Sequence, residues 1–317
     1  MNRLIVLLPI AFVAVAAAAP SAERPLPPIA KGVTIGGLKV GGLNAETART
    51  RLRQRFDRDL HFVFDQKRWT VAPSEIGASA EIGRSVTWAL KARRGHHVSL
   101  PIRVAQDRLD KYVSDLNGHL ARPAKNSQLV GLSNVRPLIT PARPGLKVDQ
   151  KKMKARIVRA LQPTQRAPIP FAARHVQPAI TRANFGPVIV VETVSHHLLF
   201  YQGPRLDHTF TVATGQAAYP TPSGQWTIVE MQLNPWWIPP PNAPWAQGAK
   251  PIPPGPGNPL GTRWMGLSAP GVGIHGTPDP ASLGYSLSHG CIRMYIPDAE
   301  WVFNRVHVGT PVFTVAA

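Results

Sequence analysis

From Gly186 onward the chain consists of short apolar or alternating runs separated by turns. The runs VIVVET, HLLFYQG, DHTFTVATG and GQWTIVEM follow one another at intervals of about ten residues, with glycine, proline and polar residues between them. Short strands at this spacing are typical of antiparallel β-domains. The sequence therefore predicts an all-β sandwich or barrel-like domain over residues 185–317, which closes with a helix near Pro297 and a strand in GTPVFTV.

A segment rich in proline and tryptophan, residues 234–266, interrupts this pattern. Proline cannot donate to a central strand and interrupts a helix, so we expect a long ordered loop. Four tryptophan side chains would hold this loop in place: Trp236, Trp237, Trp245 and Trp264. Loops of this length in a compact domain usually cover a site, which predicts a lid. The alternative is a surface elaboration packed by its own indoles.

The N-terminal half has a different pattern, with short strands mixed with amphipathic helices. After the strand and glycine turns of VTIGGLKVGGLN, Asn44 is positioned to cap a helix over residues 45–56, with Ala48, Leu52 and Phe56 on one stripe. LHFVFDQKRWTV predicts a hairpin that bends at Asp65. Further helical and extended patches follow to about residue 161. We expect an α+β domain over residues 33–184.

Charge separates the two halves. Of 36 basic and 17 acidic residues, only five basic and six acidic ones follow residue 185, so the whole net charge of +19 comes from the first part. A basic face attracts polyanions, namely nucleic acid, anionic lipid headgroups or phosphate-bearing wall polymers, although a merely solvated surface is an equal alternative. The cations form no long run and no RNA-binding motif, so no nucleic-acid partner is expected.

The first residues resemble a signal for export. Arg3 precedes an apolar run from Leu4 to Ala19 that is short for a membrane span, and small residues follow it. We expect a signal peptide or N-terminal anchor over residues 1–22, a proline-rich linker over 23–32, and a location in the periplasm or cell wall. Where cleavage occurs, and whether it occurs, stays open because Pro20 directly follows the alanine run.

Cys291 is the chain's single cysteine. A lone thiol in an exported protein is either an inert core residue or a reactive nucleophile. A free thiol with a pKa of about 8.5 needs a base at neutral pH, and His275 and His289 both lie near it in the sequence. Gly290 permits a tight turn, so that the amides of Gly290 and Cys291 can face a developing oxyanion.

The same two histidines and the cysteine are also zinc-ligand types. Structural zinc sites use four ligands at characteristic spacings, which these residues lack. We therefore expect no metal and no cofactor.

The segments His275-Gly276 and SHGCIRM, residues 288–294, resemble the signature of the YkuD-type L,D-transpeptidases. YPTPSGQWTI, NPWWIPPP, PGPGNPLGTRWM and VGTPVFTV resemble further family segments, and Arg293-Met294 after the cysteine is similar to the ErfK/YbiS-like subgroup. Upstream, VTIGGLKVGGLNAETARTRL and ARPGLKVDQKKM resemble the peptidoglycan-binding domain found ahead of such enzymes. For that domain a spacer role fits the residues equally well.

The resemblance implies a role for each matching position. Cys291 would be the nucleophile and His275 its base, with the carbonyl of Gly276 holding the imidazole. His289 and Ser288 would support the nucleophile's loop. Spacing alone leaves open which histidine is the base. Four residues would meet the substrate: Ser288, Arg293, Tyr219 and Trp264. Arg293 suits a carboxylate, although an ion pair with Asp298 is the alternative.

The activity implied is transpeptidation on peptidoglycan stem peptides, with release of D-Ala and transfer of the acyl group to an amine. Water as acceptor would give an L,D-carboxypeptidase instead. Sortases and NlpC/P60 endopeptidases use the same groups, but their cysteine and histidine differ in spacing or order. A non-catalytic wall-binding protein is the remaining alternative.

Overall fold

The computed structural model describes residues 27–162 and 166–317 and divides the chain into two compact units. One unit contains the described residues up to His119 together with those described within Val148–Ala172, and the other contains Leu120–Lys147 and Ala173–Ala317. The predicted signal segment 1–22 and the first part of the linker lie outside the described residues. Among the residues described, every helix is too short or too polar to span a bilayer.

In the described part of the N-terminal half, short strands alternate with four helices. In chain order the elements are β1 (Thr34–Ile35), β2 (Leu38–Lys39), α1 (Ala45–Phe56), β3 (Leu60–Phe64), β4 (Lys67–Val71), β5 (Ala78–Ala80), α2 (Ile82–Leu90), β6 (His97–Val98), β7 (Ile102–Val104), α3 (Gln106–Leu120), β8 (Leu129–Ser133), β9 (Arg136–Ile139), β10 (Gly145–Val148), α4 (Gln150–Ala160), β11 (Ile169–Pro170) and β12 (Ala173–Val176).

Helix α1 forms where the sequence predicts it. The Asn44 side chain accepts a hydrogen bond of 2.8 Å from the amide of Thr47, which satisfies one free donor of the first turn. Ala48, Leu52 and Phe56 are buried on one stripe. The predicted hairpin is β3–β4, and Asp65 turns it with a φ of 52°. These elements confirm the α+β pattern of this half.

The C-terminal half consists mainly of strands. They are β13 (Pro187–Glu192), β14 (His197–Gln202), β15 (Arg205–Thr211), β16 (Thr214–Gly215), β17 (Gly224–Leu233), β18 (Arg263–Leu267), β19 (Gly273–Thr277), β20 (Ser286–Ser288), β21 (Ile292–Tyr295) and β22 (Pro311–Val315), joined by helix α5 (Ile296–Phe303) and two 3₁₀ turns, Pro244–Ala246 and Pro280–Ser282.

Eight of these strands form one mixed sheet in the order β15-β14-β13-β22-β17-β18-β19-β21. The β-rich fold predicted for this half is confirmed, as is the helix that begins near Pro297. A core of branched and sulfur-containing side chains lies between the sheet and α5, and includes Ile274, Ile292, Met294 and Val302. This core fixes β19 and β21, the two parallel neighbours that carry the candidate site.

The second unit also takes in a hairpin from the N-terminal half. Leu129, Leu132 and Val135, on or between β8 and β9, pack against a second cluster that contains Val188, Val190 and Tyr201. The sequence prediction of a single boundary at 184/185 stays a prediction. One boundary in the sequence cannot describe this division, because the β8–β9 hairpin packs in the second unit although segments of the first unit precede and follow it.

The predicted loop 234–266 is shorter than expected. Arg263, Trp264 and Met265 belong to β18, which pairs with β17 on one side and β19 on the other. This part of the prediction is wrong, because the prolines end at Pro259 and leave the following backbone amides free to form a ladder.

Candidate active site

Cys291 lies at the tight connection between β20 and β21. The residue before it, Gly290, has a φ of 107°, which side chains other than hydrogen strongly disfavour. The thiol is half-buried, and Sγ lies 3.7 Å from the carbonyl oxygen of Gly271. The chain therefore presents its sulfur at the end of a strand, on a turn that only glycine permits easily.

His275 lies on β19 beside β21, in register with Arg293. Its side chain is buried, with 4% exposed, and Nδ1 lies 2.7 Å from the carbonyl oxygen of Gly276. A carbonyl can only accept, so Nδ1 carries the proton and Nε2 is left as the basic nitrogen. The hydrogen bond expected from the resemblance is therefore present.

Burial sets the charge states of both groups. It lowers the pKa of His275 to about 4, with Arg293 acting in the same direction and the Gly276 carbonyl opposing the shift. Burial also raises the pKa of the Cys291 thiol. The resting site at neutral pH thus holds a neutral thiol and a neutral imidazole. Such an imidazole is ready to accept a proton, but the sulfur becomes anionic only during reaction.

The thiol and His275 border one cavity of about 450 Å³. No hydrogen bond joins Sγ to the His275 ring in the described chain, because the thiol is directed at Gly271 instead. Rotation about the Cα–Cβ bond of Cys291 is the simplest motion that redirects it. The cavity walls are mainly aromatic and apolar, and include Trp236, Trp237, Ile238, Trp245, Leu260 and Trp264.

The expected oxyanion donors are not both available. Ser288 Oγ accepts from the Gly290 amide at 3.1 Å and donates to the Cys291 carbonyl at 2.6 Å. The Gly290 N–H therefore already has an acceptor in this conformation, and its role as an oxyanion donor stays a prediction. The Cys291 amide has no acceptor within the described residues, so that donor stays free. Ser288 thus bridges the backbone of Gly290 and Cys291, and the role that the resemblance implies for it stays a prediction.

Of the remaining predicted residues, Trp264, His289 and Arg293 line the same cavity, and Tyr219 contacts His289. The rings of Tyr219 and Trp245 flank His289, whose pKa is lowered by burial. Trp264 lies 5.8 Å from His275, centroid to centroid. Arg293 lines the cavity and has no ion-pair partner among the residues described, so the predicted alternative partner, Asp298, is not used. Burial raises the pKa of Asp298, as expected for a carboxyl without a cation beside it.

Two structural residues escaped the sequence reasoning. Thr221 Oγ1 accepts from the Gly215 amide at 2.8 Å and donates to the Gly290 carbonyl at 2.9 Å, which ties the nucleophile's loop to β16. Asn258 is 1% exposed and holds the base of the lid. Thr221 lies in YPTPSGQW and Asn258 in PGPGNPLG. Both segments resemble the family, but neither contains a local signal for these hydrogen bonds.

Asn258 replaces the indoles as the main anchor of the lid. Its amide donates to the carbonyls of Pro235 at 2.9 Å and Pro253 at 3.0 Å, and its oxygen accepts from the Leu260 amide at 2.8 Å. A pair of backbone hydrogen bonds between Trp237 and Ile252 closes the loop further. In residues 27–162 and 166–317 no group of three or more His, Cys, Asp or Glu side chains is placed to hold a metal ion.

Comparison with known proteins gives two family matches. Residues 186–313 match the L,D-transpeptidase catalytic domain, YkuD, and residues 69–170 match a peptidoglycan binding domain. Among solved structures, the catalytic domain of the E. faecium L,D-transpeptidase is 25% identical and covers 41% of this chain and 96% of its own, with a TM-score of 0.34.

Curated relatives carry the names of L,D-transpeptidases. YqjB of Bacillus subtilis is 33% identical over 132 residues, which cover 40% of this chain and 69% of YqjB. ErfK/SrfK of Escherichia coli is 35% identical over 136 residues, or 39% of this chain and 42% of that protein. YkuD of Bacillus licheniformis is 34% identical over 124 residues, which cover 39% of this chain and 62% of that relative. The chain belongs to the YkuD family of L,D-transpeptidases.

Proposed function

We propose that this chain is a peptidoglycan L,D-transpeptidase that acts outside the cytoplasm, with Cys291 as nucleophile and His275 as general base. The observation that carries the proposal is the buried imidazole, whose Nδ1 is fixed on Gly276 while Nε2 has no hydrogen-bond partner among the described residues, in a side chain that lines the same cavity as the thiol. A base needs this fixed tautomer, and a nucleophile needs access to the same space. The family relationship supplies the reaction class.

In the proposed reaction, Nε2 of His275 takes the thiol proton while Sγ attacks the carbonyl of the third stem residue. The oxyanion rests on the Cys291 amide, and the imidazolium returns the proton to the departing amine of D-Ala. A thioester remains. An amine of a second stem then attacks it to form an amide and restore the thiol, whereas water would give a carboxylic acid and the thiol.

Arg293 would bind the carboxylate of the donor stem. Its guanidinium lines the cavity, has no competing carboxylate among the described side chains, and can bind a carboxylate through two parallel hydrogen bonds. Tyr219 and Trp264 would border the peptide on the two sides of the thiol. The neutral resting state suits an exported enzyme, because a protonated thiol is less prone to oxidation than a thiolate.

The N-terminal half would hold the enzyme on its polymer. Its match to a peptidoglycan binding domain and its large positive charge support contact with the wall, including anionic wall polymers or the membrane surface. Export through the N-terminal segment would bring the enzyme to that substrate.

The deciding experiment is incubation of the full chain with a purified disaccharide tetrapeptide. Dimer formation with release of D-Ala would establish transpeptidation, and tripeptide alone would establish carboxypeptidase activity. Cys291→Ala should form neither product, and His275→Ala should lose thioester formation while His289→Ala retains it. If the wild-type chain leaves the tetrapeptide intact, the proposal is wrong.

An independent test uses imipenem, which should acylate Cys291. Mass spectrometry of the intact protein should show one adduct in the wild type and none in Cys291→Ala. An unshifted wild-type mass, under conditions that acylate a control transpeptidase, would count against a reactive thiol at this position.

A further inference from the structure

The imidazole of His289 contacts two aromatic rings. Trp245 stacks on it with centroids 4.1 Å apart and planes 14° apart, and Tyr219 contacts it at 5.1 Å with planes at 55°. His289 is two residues before the nucleophile, and both Trp245 and His289 line the cavity over Cys291. Trp245 and His289 therefore form a stacked pair at the cavity wall, and Tyr219 makes a tilted contact with the same imidazole.

The members of this stack belong to two different parts of the domain. Tyr219 is tied to the nucleophile's strand, because its amide donates to Gln216, whose own amide donates to the Ser288 carbonyl at 2.9 Å. Trp245 belongs to the lid and lies in the 3₁₀ turn Pro244–Ala246. The contact between Trp245 and His289 thus joins the lid to the loop that carries the thiol.

The surroundings of His289 do not suit a proton-transfer role. Its ring makes no hydrogen bond to any described residue, whereas the His275 ring is fixed by Gly276. A general base needs an acceptor that fixes its tautomer, and His289 has none. What the ring does have is a flat surface that matches an indole.

We propose that His289 is a positioning residue that holds the lid closed by stacking on Trp245, and that this closure favours an amine over water as acceptor. The inference rests on the proposed transpeptidation. An aromatic pair of this kind shifts a closed-to-open ratio by roughly 2- to 12-fold. A closed lid lowers the access of water to the thioester, while a peptide amine binds in the cavity before it attacks.

The chemistry of the two competing outcomes is simple. Aminolysis breaks the C–S bond and forms a C–N bond, and the amine's proton passes through His275 to the sulfur. Hydrolysis breaks the same bond and forms a C–O bond, with a water proton passing to the sulfur. The ratio of dimer to tripeptide therefore reports how well the lid excludes water.

The test compares His289→Phe with His289→Ala, and Trp245→Ala with Trp245→Phe. Phenylalanine keeps the flat ring and removes both nitrogens, so His289→Phe should restore the dimer-to-tripeptide ratio to within about twofold of the wild type. His289→Ala and Trp245→Ala should each lower the ratio roughly 2- to 12-fold, and the double alanine variant should fall no further than the worse single variant. Loss of acylation in His289→Phe, or an unchanged ratio in His289→Ala, would overturn the proposal.

A second readout separates failure of this inference from failure of the proposed function. Trp245 emission, obtained as the difference between the wild type and Trp245→Phe, should become more accessible to acrylamide in His289→Ala and stay protected in His289→Phe. This measurement needs no thioester, so it tests the stack even in a protein that leaves the tetrapeptide intact. Equal quenching in both His289 variants would show that the ring does not hold the lid.

Discussion

The indole of Trp264 lies directly on the α-carbon of Gly273, on the strand next to its own. A methyl group at Gly273 would overlap three atoms of the indole ring, so glycine at this position creates the flat surface on which the ring rests. Trp264 in turn contacts His275, its register partner on β19. A backbone atom without a side chain therefore sets the position of a ring beside the proposed base.

Gly273→Ala should move Trp264 out of its place. We expect a loss of about 1–3 kcal/mol in the free energy of unfolding, typical of overpacking, together with slower acylation by imipenem. Denaturant melts and the rate of adduct formation measure the two effects. Gly118→Ala is the matched control: a methyl there meets nothing within 4 Å and replaces glycine inside α3, so it should stabilise by about 0.5–1 kcal/mol. Similar effects of both changes would contradict the steric explanation.

The buried His275 predicts how stability depends on pH. Its pKa is about 4 in the folded chain and 6.5 when exposed, so between these values the unfolded chain binds more protons. Stability should therefore fall as the pH is lowered from 6.5 to about 4, by roughly 3 kcal/mol from this group, and this contribution should level off below pH 4. The difference between wild type and His275→Asn across that range isolates the effect. Parallel curves for the two proteins would show that the imidazole is not buried in its neutral form.

The lowered pKa of His275 also predicts that acylation stays fast at more acidic pH than an exposed histidine would allow. The base must be neutral, so the rate should decline only as the pH falls toward about 4, rather than near 6.5. Initial rates of imipenem adduct formation at constant ionic strength measure it. An acid limb near pH 6.5 would point to an exposed histidine as the base.

Thr221 offers a test of how the nucleophile's loop is held. Thr221→Val keeps the shape but leaves the Gly215 amide and the Gly290 carbonyl without their buried partner, which should cost about 1–3 kcal/mol and slow acylation. Thr221→Ser keeps the hydroxyl and should stay close to wild type in acylation rate. Urea denaturation and adduct formation measure both variants. Equal acylation rates in the valine and serine variants would remove Thr221 from the support of the loop.

Local sequence patterns predicted the structural features that depend on residues close together in the sequence. Asn44 and the stripe of Ala48, Leu52 and Phe56 were sufficient for α1, because a cap and an apolar face act within a few turns. The candidate site was predicted in outline because the single cysteine and its histidines lie in one short region of the sequence.

The features that the sequence did not predict depend on contacts between residues far apart in the chain. No local signal tells that the β8–β9 hairpin packs with the second unit, or that Ser288 would occupy the Gly290 amide. The indoles of the lid were visible in the sequence, but the side chain that anchors it was one asparagine among many prolines. Its role depends on carbonyls up to 23 residues away.

That asparagine gives the most direct test of the lid. Asn258→Asp keeps the oxygen that accepts from Leu260 but removes the two N–H donors to Pro235 and Pro253, and it introduces a charge at a buried position. The lid should loosen at its base, with faster cleavage by a nonspecific protease within residues 234–262 and a lower dimer-to-tripeptide ratio. The control is Asn242→Asp, an exposed lid residue where the same change should alter neither quantity. Since Asn258 contacts neither the thiol nor His275, acylation by imipenem should fall less than the product ratio does. A loss of acylation as complete as in Cys291→Ala, with an intact lid, would mean that Asn258 acts on the reacting groups and not on the loop above them.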